Sequence, residues 1–117
     1  MRVLVTLSPR MYREAVALSI HRNRPGLDVR SAPPEEAERE LETFRPHLHV
    51  HNDTAPVPRG ALTRVPWRVE VRYSDSMSAR VVADGRDEEV GDMDIGGLLA
   101  VVDAASGPGL AQGEGRA

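Results

Sequence analysis

Residues 1–52 alternate between strand-like and helix-like patterns in short steps, and this rhythm constrains the fold more than any other feature. The segment RVLVTL at residues 2–7 is a nearly continuous β-branched and aliphatic run, as in a strand buried on both faces. SPRMYREAVALSIHRNRPG follows. Ser8 is placed as an N-cap with Pro9 at the first helical position, and Arg22 and Arg24 lie at the end where the helix dipole favours cations, before Pro25 and Gly26 stop the helix. Met11, Ala15 and Leu18, with Tyr12 and Val16, form its apolar stripe. The unit repeats as LDVRS (27–31), an edge-like strand, and PPEEAERELETF, a helix presenting Ala37, Leu41 and Phe44. HLHVHN is the third strand. A βαβαβ series with short connections implies parallel pairing, right-handed crossovers and helices on both faces.

Beyond Asn52 the rhythm changes. DTAPVPRGALTRVP is too rich in proline for more than a turn of helix around 58–62, so the third crossover loses most of its helix. WRVEVRYS (67–74) reads as the fourth strand, and ARVVADGRDEEVGDM as two short strands joined at Asp84-Gly85, a dipeptide favoured in tight hairpins. DIGGLLAVVDAA (94–105) closes as a helix with Ile95, Leu98, Leu99 and Val102 inward, despite glycines that cost about 1 kcal/mol each. SGPGLAQGEGRA is linker-like. The expected architecture is a single α/β domain over residues 1–106 with a disordered tail at 107–117. It is a three-layer α/β/α arrangement around a mostly parallel sheet of order 2-1-3-4-5, with reduced third and fourth helices and a C-terminal β-hairpin.

Composition removes several chemistries. The chain has 117 residues and no cysteine, so it is expected to form one core without disulfides or thiolate ligands. All fifteen basic residues are arginine, which excludes a lysine base, a Schiff base or a phosphate-holding lysine. A net charge of −3 without an arginine cluster argues against nucleic acid as a partner. The N-terminal apolar run is far too short for a signal peptide or a membrane span, and a cytoplasmic location is expected.

RVLVTLSPRMYREAVAL and RPHLHVHNDTAP together resemble the receiver domains of bacterial response regulators, in which a strand runs into a "YRE" helix and a third strand ends in an aspartate followed four residues later by proline. Asn52 stands at the position of that phospho-accepting aspartate, with Pro56 in the matching place. The resemblance covers roughly residues 1–56, more loosely 67–74 and 94–105, and implies a flavodoxin-like fold and a role in signal transduction. The departures concern the chemistry. Thr6, Leu7 and Ser8 replace the acidic pair that holds magnesium, the acceptor is an amide, no lysine exists, and Tyr73 or Ser74 lies near the hydroxyl switch position. Phosphoryl transfer needs an anionic nucleophile and a cation to offset charge on the phosphoryl oxygens.

Two constellations remain as candidate sites. His47, His49 and His51 share one strand face, with Leu48, Val50 and Asn52 on the other. His-x-His is a metal-binding spacing, and HLHVHND is similar to the HxHxDH box of the metallo-β-lactamase fold, although the final histidine is absent and that fold is much larger. Packing of partly buried rings beneath a helix is the competing reading, and no metal or cofactor is expected. The second constellation lies beyond the carboxyl ends of the strands, where open parallel sheets bind ligands. Ser8, Asn52, Asp53, Thr54, Ser74, Asp75 and Ser76 project there, suited to a small polar ligand or to capping the loop backbone. Arg10 and Arg13 could grip an acidic partner. The expected function is a non-enzymatic, phosphorylation-incompetent regulatory or protein-interaction module, with a protein or a second copy of itself as partner, without nucleic-acid or membrane partners. The alternative is a small metal- or ligand-dependent enzyme using the three histidines and Asp53.

Overall fold

The computed structural model describes residues 1–72, 74, 78–83 and 85–106. Its elements are β1 (Arg2–Val5), α1 (Arg10–Asn23), β2 (Asp28–Ser31), a 3-10 turn (Pro34–Glu36), α2 (Ala37–Thr43), β3 (Leu48–Asn52), α3 (Arg59–Leu62), β4 (Trp67–Val71), β5 (Ala79–Ala83), β6 (Arg86–Val90) and α4 (Ile95–Ser106). The tail at 107–117, Tyr73, Asp84 and residues 75–77 lie outside the described residues.

One sheet carries the molecule, in the order β2-β1-β3-β4-β5-β6. β1 pairs in parallel with both β2 and β3, and β3 in parallel with β4. β4–β5 and β5–β6 are antiparallel. This corrects the expected mostly parallel, three-layer receiver arrangement: the sheet is mixed, and its second half is a meander. The reason is connection length. Residues 72–78 alone join β4 to β5, and a parallel return needs a crossover of a dozen residues or more. The β5–β6 hairpin is closed by a two-residue turn, because Ala83 pairs with Arg86, and Gly85 occupies positive φ, where a side chain would be strained.

The two faces of the sheet are covered unequally. On one, Val3, Val5, Leu48, Val50, Val69, Val71 and Val81 form the main core with Val16 and Ile20 of α1 and Leu98 and Val102 of α4. On the other, a small cluster joins Leu4 to Leu41, Phe44, Ala61, Leu62 and Val65. α2 and the single-turn α3 are the helices of this side, so over β4–β6 the sheet presents charged side chains rather than a helical layer.

Of the two helices over the main core, α1 sits rotated from the expected facing, whereas α4 keeps its own with Leu99 packed against the core and departs only at its first residue. Arg13, Val16 and Ile20 are the buried positions of α1, whereas Met11 is 82% and Leu18 48% exposed. Arg13 turns inward because its Nη1 donates to the Leu7 carbonyl at 3.2 Å. In α4 Leu98 and Val102 are buried, but Ile95 is 43% exposed. The cap assignments differ too. Helix α1 begins at Arg10 after a cis Ser8–Pro9 bond and has no side-chain cap, while Asp94 caps α4 by accepting from the Gly97 N–H at 2.8 Å. Both edge strands are charged, with Asp28 and Arg30 on β2 and the run Arg86–Glu89 on β6, a composition that discourages pairing with another sheet.

Candidate functional site

The carboxyl ends of β1, β3 and β4 converge on Asn52. Its Oδ1 accepts from the Ser8 N–H at 2.8 Å, its Nδ2 donates to the Val71 carbonyl at 3.4 Å, and its own carbonyl accepts from Ala55 N–H and the His51 ring. Parallel strands that end side by side leave their last backbone groups without ladder partners, and an amide can offer a donor to one neighbour and an acceptor to the other. At 5% exposure, the Asn52 side chain is a clamp between three strand ends. Ser8 contributes its backbone to that clamp. Asp53, Thr54 and Ser74 are exposed beyond it, and Asp53 lies within electrostatic reach of Arg72. Asp75 and Ser76 lie outside the described residues. Arg10 is exposed and paired with Glu14 at 2.8 Å, and Arg13 is buried against Leu7.

The three histidines divide between two environments. His47 stands exposed just before β3, where its Nδ1 accepts from the Arg2 N–H at 3.0 Å. His49 and His51 are completely buried, with ring centroids 4.6 Å apart and planes tilted by 36°. His49 Nε2 and the Thr6 hydroxyl are 2.8 Å apart, and the His51 Nδ1–H donates to the Asn52 carbonyl at 2.9 Å. Among the described residues no group of three histidine, cysteine or acidic side chains is arranged to hold a metal ion. Burial lowers the tendency of both rings to take a proton. His49 is held well below the ordinary imidazole value by burial, then by His51 and Arg68. His51 is also lowered, chiefly by burial, although its hydrogen bond to Asn52 and the Glu70 carboxylate act in the opposite direction.

The histidine face continues across the sheet in register. His49 lies beside Arg68, and His51 beside Glu70, which in turn lies beside Arg80 and then Glu89. Arg68 is nearly buried and 3.7 Å from Glu70, while Arg80 reaches Glu70 at 2.8 Å and Asp87 at 3.3 Å. Arg72 pairs with Glu89. Sequence reasoning missed this lattice. The alternation in WRVEV marks its β4 part, but alternation alone suggests a solvated face.

A second unforeseen feature lies on the opposite side of the sheet. Helices α1 and α4 are pinned together by Arg24 and Asp103, whose two hydrogen bonds measure 2.6 and 2.7 Å. Elsewhere a cleft of about 280 Å³ separates them. Its walls include Tyr12, Ala15, Ile95 and Leu98, and its floor Val50 and Val69; Asp94 stands among these apolar neighbours. Met11 and Leu18 add exposed apolar surface on α1.

Comparison of the chain with models of known protein families, with curated proteins and with solved structures finds no match in any of the three. Among the described residues, no helix is long and apolar enough to cross a membrane.

Proposed function

We propose that this chain is a non-enzymatic regulatory or protein-interaction module that works through its α1–α4 face, in the cytoplasm, with a second copy of itself as the simplest partner. The observation that carries the reading is the apolar cleft between the two helices, accompanied by Met11, Leu18 and Ile95 in exposed positions. Large apolar side chains gathered on one face are characteristic of an association surface. The likeness of residues 1–56 to receiver domains supports a regulatory role. It does not support the receiver's chemistry, because the Asn52 amide is engaged with the Ser8 and Val71 backbone.

Sedimentation across a range of concentrations, combined with methyl NMR, tests this directly. Reversible dimerisation is expected, with shifts at the Leu18 and Ile95 methyls, and Leu18→Glu with Ile95→Asp should leave a folded monomer. A wild-type chain that stays monomeric at about millimolar concentration, with those methyls unmoved, overturns self-association through this face.

A further inference from the structure

The opposite side of the sheet holds two features that bear on each other: a fully buried histidine pair and a thin cover. Both rings have zero exposure. Leu4, beside His49 in the β1–β3 register, belongs to the small cluster made with Leu41 and Phe44 of the α2 region and Leu62 of α3. That cover consists of a seven-residue helix and a four-residue helix. Its cluster holds fewer buried apolar side chains than the core beneath α1 and α4, and layers with few buried contacts are where local opening costs least.

The rings have little capacity to accept a proton in place. His51 already uses Nδ1–H as a donor to the Asn52 carbonyl, so a proton must go to Nε2, which meets no hydrogen-bond partner among the described residues. His49 shares Nε2 with Thr6, and its Nδ1 likewise meets none. The charged form of either ring therefore holds a buried N–H without an acceptor, at Nδ1 of His49 or Nε2 of His51, together with a buried charge.

The surrounding charges do little to relieve that. From β4 come Arg68 and Glu70, and from β5 comes Arg80; Glu70 is already engaged by both arginines. Asp87 of β6 is directed at Arg80, and Glu89 at Arg72. Arg59 of α3 adds a cation near Arg68. On the α2 side Glu40 pairs with Arg30 and Glu36 with Arg39, while Glu38 and Glu42 are exposed, as is Asp53 in the following loop. β1 contributes the uncharged Thr6.

We infer that the stacked His49–His51 pair is an acid-sensitive latch beneath α2 and α3: neutral rings keep this cover closed, and a proton on either ring opens it while the α1–α4 side stays folded. Opening would uncover Leu41, Phe44 and Leu62, a second apolar surface separate from the α1–α4 cleft. Buried imidazole suits such a switch because its ordinary titration lies just below neutral pH. The inference does not depend on the interaction proposed for the α1–α4 face.

Residue-level amide exchange on the full chain at pH 7.5 and pH 5, corrected for the intrinsic rate, is the test. Protection at residues 37–44 and 59–65 should fall at least tenfold at the lower pH, with α1 and α4 changing less than twofold. The His49→Gln/His51→Gln variant should lose that difference. If the variant does not fold, the wild-type ring resonances decide: His49 and His51 should titrate together with the loss of α2 and α3 protection, below the ordinary imidazole value. Loss of protection spread evenly over all helices would overturn the latch, as would unchanged protection at pH 5.

Discussion

At the scale of single residues, Asn52 shows how one buried amide serves two strand ends at once. A carboxylate there would still accept from Ser8 N–H, but it would lose the donor to Val71 and set a charge against that carbonyl in a site 5% exposed. Asn52→Asp is therefore expected to destabilise the fold by about 1–3 kcal/mol at pH 7, read from urea unfolding. Arg45 offers the opposite case. It follows α2 in the left-handed region at φ 51, and the contact that holds it is its own carbonyl, which accepts from Arg2 Nε at 2.9 Å. Glycine would keep that carbonyl and remove the Cβ strain. Arg45→Gly should raise stability by about 0.5–1 kcal/mol, net of the larger backbone entropy lost on folding. A fall in melting temperature would show that the arginine side chain contributes contacts of its own.

Among the elements, the helices show which face of an amphipathic segment the sheet selects. Val102 has no exposure and packs in the main core, whereas Leu18 on α1 is 48% exposed. Val102→Ala should cost about 2 kcal/mol, and Leu18→Ala should change denaturant unfolding by less than about 0.5 kcal/mol. Equal costs for the two would contradict the rotation of α1. At β6 the charges keep the outer edge from pairing with another sheet. Replacing Glu88 and Glu89 with Val and Thr is expected to promote aggregation without preventing folding, as followed by light scattering.

For the whole molecule, the pH dependence follows from the buried pair. Both rings are held below the ordinary value of 6.5, so the unfolded chain takes up protons that the folded one refuses. Stability is therefore complete above that value and declines as pH falls below it. Chemical denaturation at pH 7.5, 6 and 5 should show a progressive loss, while a flat profile would mean that the rings charge without penalty. Phosphorylation is the complementary test. Acetyl phosphate with magnesium should label neither the wild type nor Asn52→Asp, because the chain has no lysine and Thr6, Leu7 and Ser8 after β1 offer no carboxylate to a magnesium ion. Labelling abolished by Asp53→Ala would assign the acceptor role to the neighbouring carboxylate.

Much of the element pattern was legible from the sequence because its causes are local. A nearly continuous aliphatic run marked β1, the period-two alternation of HLHVHN marked β3, proline bounded α1 and α2, and Asp84-Gly85 fell between β5 and β6. The expected parallel sheet fails at the 72–78 connection, which is too short for a parallel crossover. The site was less legible. Period-two alternation establishes that His49 and His51 share a face and that Asn52 lies opposite, yet it does not say whether that face meets solvent or a helix. Tertiary packing made that decision: His49 and His51 were left with no exposure, three strand ends met at Asn52, and an inward Arg13 turned Met11 and Leu18 outward. A side chain's periodicity is a property of its own segment, whereas its burial and its partners depend on which distant segment arrives against it.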